Sequence, residues 1–347
     1  MQQIITKAKS SYQEREPFVL FAKPNQSVLH AYFQKDAVLY TFENQEGFVF
    51  SAFNSKDSFI IPYEKSEAYT CEIQPLFLDA ESTEMESFPI SESSCFERLV
   101  EQAVQSINQN EFSKVVLSRK VSYEVGVDFI SSYLQLVSSY VSAFRYLFYH
   151  PKIGMWMGAS PEQLVQINGN ELQTVALAGT QLYQENLFWE EKEKQEQQFV
   201  TDYIIGKLNP LVEKINVSLP FTVQAGRLAH IKTIIDAQLK ISQKAIEAVK
   251  VLHPTPAVCG LPKEPALAFI LANEKYDRKF YSGFLGEWNR DKSNLFVNLR
   301  CAEIEENAIH FYVGCGITKD SIPEKEFVET ENKLGTIQRI IKLKIKN

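Results

Sequence analysis

Apolar residues fall in short runs through the first 90 positions: Phe18–Ala22, Val38–Phe42, Phe48–Phe53 and Phe59–Tyr63, each bounded by polar turns. That alternation predicts an irregular antiparallel sheet. The polar segment Asp79–Ser94 interrupts it with acidic and serine residues, which places an internal boundary at 92/93. Beyond it, the spacing of Cys95–Asn108 predicts a helix and Lys114–Lys120 enters a strand. Ala143–His150, Gly154–Gly158 and Leu164–Ile167 read as strands, and Gly169-Asn170 as a hairpin turn before Leu172–Leu177. Residues 188–208 read as a helix stopped by Asn209-Pro210. Phe280–Trp288, Asn294–Glu303 and Ala308–Gly314 read as a meander, followed by a last helix. Hairpin-linked strands with covering helices predict an α+β protein built on large antiparallel sheets. Residues 1–92 are expected to pack on the same body as the catalytic part, 93–347.

Charge narrows the partners. A net charge of −7 offers no basic footprint for nucleic acid or an anionic membrane. No stretch approaches a membrane span, and five cysteines without a Cys-x-x-Cys pair read as reduced thiols. The expectation is a cytoplasmic, monomeric enzyme.

Two Glu-x-x-Glu pairs carry the candidate chemistry: Glu193/Glu196 and Glu326/Glu329. Residues three apart on a helix are neighbours, and like charges there repel unless something neutralises them. Two such faces brought together would offer four hard oxygen donors suited to Mg²⁺. Solvated helix surface is the competing reading, and Ser321-Ile-Pro-Glu324 also fits a capping box. Glu193 and Glu196 extend the apolar stripe of Val200, Tyr203 and Ile204 backwards, so they should face inward. Glu329 falls off the stripe of Phe327, Leu334, Ile337 and Ile341, so periodicity supports the second pair poorly.

Lys114-Val-Val-Leu-Ser-Arg, Gly158-Ala-Ser-Pro-Glu-Gln-Leu, Leu177-Ala-Gly-Thr180 and the first acid pair follow one another along the chain. Then come Leu252-His-Pro-Thr-Pro-Ala257, Phe280-Tyr-Ser-Gly283, Asn298-Leu-Arg-Cys-Ala302, Gly314-Cys-Gly316 and the last acid pair. The series, in this order, resembles the chorismate-utilising enzymes from about residue 93 onward. The resemblance implies a four-layer α/β/β/α sandwich, Mg²⁺ and chorismate as substrate. It implies Glu196 and Glu329 as direct metal ligands, with Glu193 and Glu326 reaching the ion through water. Arg300 would grip a substrate carboxylate, a task suited to its bidentate fork. Gly314 and Gly316 would let backbone N–H groups approach the anion. Ala178, Gly179, Thr180, His253, Tyr281 and Lys333 complete the implied substrate-binding set. The competing readings are core packing for Tyr281, an i,i+4 ion pair with Glu329 for Lys333, and a structural role for His253 and His230.

Lys114 and Glu162 decide the reaction. Adding water at one ring carbon while a hydroxyl leaves another needs a base and an acid on opposite sides. A lysine serves as base only when its pKa falls from about 10.4 toward neutrality, and a glutamic acid as donor only when its own rises. A strand-opening surface lysine and a turn acid after Pro161 are the plain alternatives. Aminating relatives carry glutamine where Lys114 stands, and the familiar aminodeoxychorismate synthases carry lysine where Ala178 stands. Both positions point to water as nucleophile. Isochorismate synthase, with no glutamine amidotransferase subunit, is therefore the expected activity, serving menaquinone or siderophore synthesis. Salicylate synthase and a silent chorismate-binding subunit are the alternatives. Gln181, Gln197 and Glu193 depart from residues common in the family.

Overall fold

The computed structural model describes residues 1–74, 88–89, 92–185, 187–225, 228–241, 244–289 and 291–344. Among these, the first stretch forms α1 (Gln2–Gln13), β1 (Phe18–Ala22), β2 (Val28–Gln34), β3 (Tyr40–Thr41), β4 (Gly47–Ser51), β5 (Ser58–Pro62) and β6 (Ser66–Glu72). Next come α2 (Ser94–Asn108), β7 (Lys114–Tyr123), α3 (Phe129–Ser139), β8 (Phe144–His150), β9 (Gly154–Ser160), β10 (Gln163–Asn168) and β11 (Glu171–Leu182). The middle adds α4 (Glu191–Leu208), β12 (Val212–Val217), β13 (Phe221–Ala225), β14 (Leu228–Leu239), α5 (Ala245–Leu252), β15 (Gly260–Leu261) and α6 (Lys263–Asn273). The chain closes with β16 (Phe284–Trp288), β17 (Lys292–Val297), β18 (Cys301–Ile304), β19 (Ile309–Ile317) and α7 (Pro323–Gln338).

The strands build two antiparallel sheets. One runs β15-β7-β19-β18-β9-β8-β1-β2-β6; the other runs β12-β14-β11-β10-β17-β16-β4-β5-β3, with β13 on β14. Aromatic side chains fill the space between them. Phe50 stacks on Phe148 at 4.3 Å and Phe144 on Phe296 at 4.4 Å, each pair bridging the sheets. Offset rings of this kind add to the gain from burying their area. Outside the first sheet, Ile4 of α1, Leu136 of α3 and Leu334 of α7 share one core. Outside the second, Val200 and Ile204 of α4 pack with Leu252 of α5. The result is a helix/sheet/sheet/helix sandwich. α2 and α6 cover the β7–β19 end of the first sheet through Phe96, Val100 and Ile270. The segment before residue 93 contributes to both sheets, β1 pairing with β8 and β4 with β16.

The expected meander is cut in two. Residues 294–303 do not form one strand: β17 lies in the second sheet and β18 in the first. β9 and β10 are divided in the same way, and the two passages lie side by side. Val297 N donates to Glu162 O at 2.9 Å and Ala159 N to Arg300 O at 3.1 Å. Pro161 has no N–H to offer a ladder, which favours a break there. Arg300 adopts φ +48°, off the strand conformation. Asn298, wholly buried, holds its passage by accepting from Tyr146 at 2.7 Å and donating to Phe280 O at 2.9 Å.

The capping box is also corrected. Ile322, not Ser321, stands at the N-cap of α7 and makes no side-chain cap; Ser321 Oγ instead accepts from Thr318 N at 3.1 Å. α1, α3, α5, α6, β2, β6 and β12–β14 are not among the elements read from the sequence above.

Candidate functional site

A cavity of ≈ 680 Å³ opens where β7, β11, β19, both inter-sheet passages, α4 and α7 meet. Of the candidate catalytic, metal-binding and substrate-binding residues whose side chains are described, it gathers all except His253. Thr180 continues β11 opposite His230, and its side chain lies outside the described residues. His253 is not brought to the cavity wall. It is buried away from the cavity, its ring Nε2 3.2 Å from Phe53 O and its edge against Phe284. Burial pushes its imidazole down to about 3, so the ring stays neutral.

Lys114 enters the cavity from the first residue of β7. A Cβ on Gly316, in neighbouring β19, would stand 3.1 Å from Lys114 Cε, so glycine leaves the lysine its place. Lys114 Nζ donates to Glu196 Oε1 at 2.6 Å. Glu162 sits half-buried on the β9–β10 passage. Loss of hydration pushes its carboxyl up to about 7, against the opposing pull of Lys114 and Lys333. A carboxyl in that range holds a proton it can deliver near neutral pH.

The bulge that shifts the β11–β14 register between Ala178 and Thr180 contains Gly179 at φ +70°. A Cβ there would press within 3.3 Å of Glu193 Cβ, so Gly179 also sets how closely α4 approaches. Its carbonyl lies 3.1 Å from His230 Nδ1, which places the proton of the neutral ring on Nδ1. Burial lowers the imidazole of His230, which lines the cavity. Tyr281 is buried, its ring stacked on Tyr312 at 5.8 Å, and burial keeps its phenol protonated. A Cβ on Gly314 would come within 3.0 Å of that hydroxyl.

α4 and α7 turn their acid pairs onto this one cavity. Glu193 Oε2 is buried with no hydrogen-bond partner, as a donor awaiting a cation would be. Burial raises the carboxyl of Glu326 above its usual range. Lys333 Nζ meets Glu329 at 2.6 Å and donates to Gly314 O at 3.0 Å. Four hard oxygen donors suit Mg²⁺. Their present arrangement is not yet a cage: among the described residues no three acidic, histidine or cysteine side chains converge as a metal site would. Glu196 meets Lys114 and Glu329 meets Lys333, each at 2.6 Å.

Arg300, half-buried on the second passage, donates to Thr336 Oγ1 at 3.1 Å and forms no ion pair among the described residues. Of the departures from the family, Gln197 is buried and fully used. It donates to Ala176 O at 3.0 Å and Thr233 Oγ1 at 2.9 Å, and accepts from Thr201 at 2.8 Å. Gln181 donates to Phe188 O at 3.3 Å. Lys232, Thr318 and Asp320 also line the cavity, and sequence reasoning missed them. A lysine within an alternating strand and two polar turn residues carry no distinguishing signal.

A family model described as "chorismate binding enzyme" matches residues 43–342. Isochorismate synthase MenF of Escherichia coli (strain K12) is 29% identical over 258 residues, which cover 71% of this chain and 60% of that protein. Isochorismate synthase DhbC of Bacillus subtilis (strain 168) is 30% identical over 294 residues, covering 76% of this chain and 73% of that one. The chain thus spans less than two thirds of the length of the first of these relatives. Among solved structures, a putative 2,3-dihydroxybenzoate-specific isochorismate synthase, DhbC from Bacillus anthracis, superposes with a TM-score of 0.78 at 24% identity, covering 97% of this chain and 99% of that chain. At that identity the superposition speaks for the fold alone. The family match covers most of the sequence, including every residue on the cavity wall named above, and the chain belongs to the chorismate-binding enzyme family.

Proposed function

We propose that the protein is an isochorismate synthase, interconverting chorismate and isochorismate. One observation carries the reading: a lysine and a carboxyl pushed up to about 7 share a cavity with an arginine that has no ion pair among the described residues. Lys114 takes a proton from the water that attacks ring carbon C2. Glu162 gives its proton to the hydroxyl departing from C4, which leaves as water. In the reverse direction the two exchange roles, so the reaction is reversible. To accept a proton Lys114 must enter the reaction as the neutral amine, whose lone pair faces the water while an N–H still meets Glu196. Arg300 holds one substrate carboxylate with its planar fork, helped by backbone N–H groups near Gly314 and Gly316. Magnesium, held by Glu196 and Glu329 with Glu193 and Glu326 beside it, would supply positive charge for the ring carboxylate.

Relatives named as isochorismate synthases support the choice, and similar structures include a menaquinone-specific and a 2,3-dihydroxybenzoate-specific one. Either role is served by the same product. A water-using enzyme has no need of a glutaminase subunit, and the reading is of a chain that works alone in the cytoplasm. Among the described residues, no helix is long and apolar enough to cross a membrane.

The test is to incubate purified protein and Mg²⁺ with either isomer and resolve the products by chromatography. The same mixture should be reached from both sides. Pyruvate release matching chorismate loss would make it a salicylate synthase, and an aminated product with ammonium salts would make it an aminating relative.

A further inference from the structure

The positive charge of Arg300 is held by a neutral group. Its Nη1 donates to Thr336 Oγ1 at 3.1 Å, and among the described residues no carboxylate pairs with it. Thr336 Oγ1 in turn donates to Lys333 O at 2.6 Å, so its single proton is committed and a lone pair faces the guanidinium. The main chain at Thr336 is anchored as well, its carbonyl accepting from Tyr140 OH. Thr336 does not line the cavity; it stands behind Arg300. It lies three residues past Lys333 and seven past Glu329, hence on the same side of α7 as the residues that reach the cavity. Arg300 stands just before β18 at φ +48°, off the strand conformation, so its side chain does not follow the alternation of the sheet.

We infer that Thr336 is a positioning residue that aims the Arg300 guanidinium at a carboxylate of the ligand without neutralising it. A hydroxyl suits this task better than a stronger acceptor. An acid there would bind the guanidinium more tightly, yet cancel the charge the ligand must find and repel the incoming carboxylate. The inference rests on the reading of Arg300 as the anion-binding cation of the proposed function.

Three substitutions separate this role from a structural one. Thr336→Val keeps the shape and loses the acceptor, Thr336→Ser keeps the hydroxyl, and Thr336→Asp strengthens the hydrogen bond while quenching the charge. Chorismate affinity is measured by calorimetry with Mg²⁺ present, alongside KM, kcat and the melting temperature. Thr336→Val should raise Kd and KM about tenfold with kcat within about twofold, the scale of one hydrogen bond to a charged group. Thr336→Ser should stay within about twofold of wild type, and Thr336→Asp should bind at least as weakly as Thr336→Val. Wild-type affinity in Thr336→Val, or Thr336→Asp behaving like Thr336→Ser, would overturn the inference. If Thr336→Val does not fold, the Ser and Asp variants decide alone. A wild-type protein that fails to bind chorismate removes the functional reading itself, whereas a wild type that binds no better than Thr336→Val removes only the role of Thr336.

Discussion

The acid pairs of α4 and α7 reach one cavity by different routes. On α4, Glu193 and Glu196 prolong the stripe that buries Val200 and Ile204, so the face that packs also carries the acids. On α7 the two tasks are split: Phe327, Thr330, Leu334 and Ile337 are buried, while Glu326 and Glu329 look onto the cavity from beside that stripe. Their lysines differ too. Glu329 meets Lys333 one turn along its own helix, whereas Glu196 meets Lys114 from a strand 82 residues away. A local pair of the first kind adds a few tenths of a kcal/mol to a helix. The long-range pair joins the proposed base to a proposed metal ligand, so disturbing it disturbs the chemistry.

The strongest challenge to this comparison is to remove a carboxylate from each helix. Glu196→Ala and Glu329→Ala should each abolish Mg²⁺-dependent chorismate binding in calorimetry, and EDTA should reproduce both. Full activity in metal-free buffer would sink the metal reading and with it the shared purpose of the two faces. Lys114→Gln should come next, lowering turnover by roughly 10³-fold with Mg²⁺ affinity retained, within the usual range for a positioned base. A variant that keeps most of its turnover cannot have lost its base.

Glu162→Gln should lower kcat by roughly 10²-fold and leave KM nearly unchanged, as expected for a group felt in the transition state. The forward reaction needs the protonated acid, so wild-type kcat should fall as pH rises through about 7. The same carboxyl affects folding. Its folded value, about 7, lies above the ordinary 4.5, so the folded state holds the proton longer. Stability contributed at low pH is therefore lost as pH climbs from 4.5 through 7, then stays level. The neutral amide escapes that loss. Glu162→Gln should melt a few degrees above wild type at pH 8 and show no such gain at pH 4; an equal difference at both would argue against a buried carboxylate. The smallest effect belongs to the local pair. Lys333→Met should lower the melting temperature by no more than about 2 °C, the size expected from one i,i+4 contact, while weakening chorismate binding. A large loss of stability would mean that its contact with Gly314 O is what ties α7 to β19.

The periodic segments were legible in sequence. Short apolar runs between polar turns mark β1, β4, β7 and β8, helical spacing marks α2 and α4, and the motif order carries the family. Such signals are local: a period of two or 3.6 states which side of an element is apolar, and nothing about what will face it. That is why Glu193 and Glu196 could be aimed inward from their stripe, while Glu329 looked no better than solvated surface. It is also why a family motif that contains His253 does not reveal that its ring is buried beside Phe284, off the cavity wall.

What the sequence determined by itself is a set of two-faced strands and helices, with acids, a lysine and glycines spaced for a chorismate-type site. Only the tertiary structure decided that the chain leaves one sheet for the other at Glu162 and again at Arg300. At such passages the backbone quits its ladder, and a polar side chain can turn toward a cavity instead of alternating between faces. The raised carboxyl of Glu162, the Lys114–Glu196 contact and the neutral support of Arg300 by Thr336 follow from that meeting of distant segments. Desolvation and charge are sums over everything packed nearby, and no window along a single chain contains those neighbours.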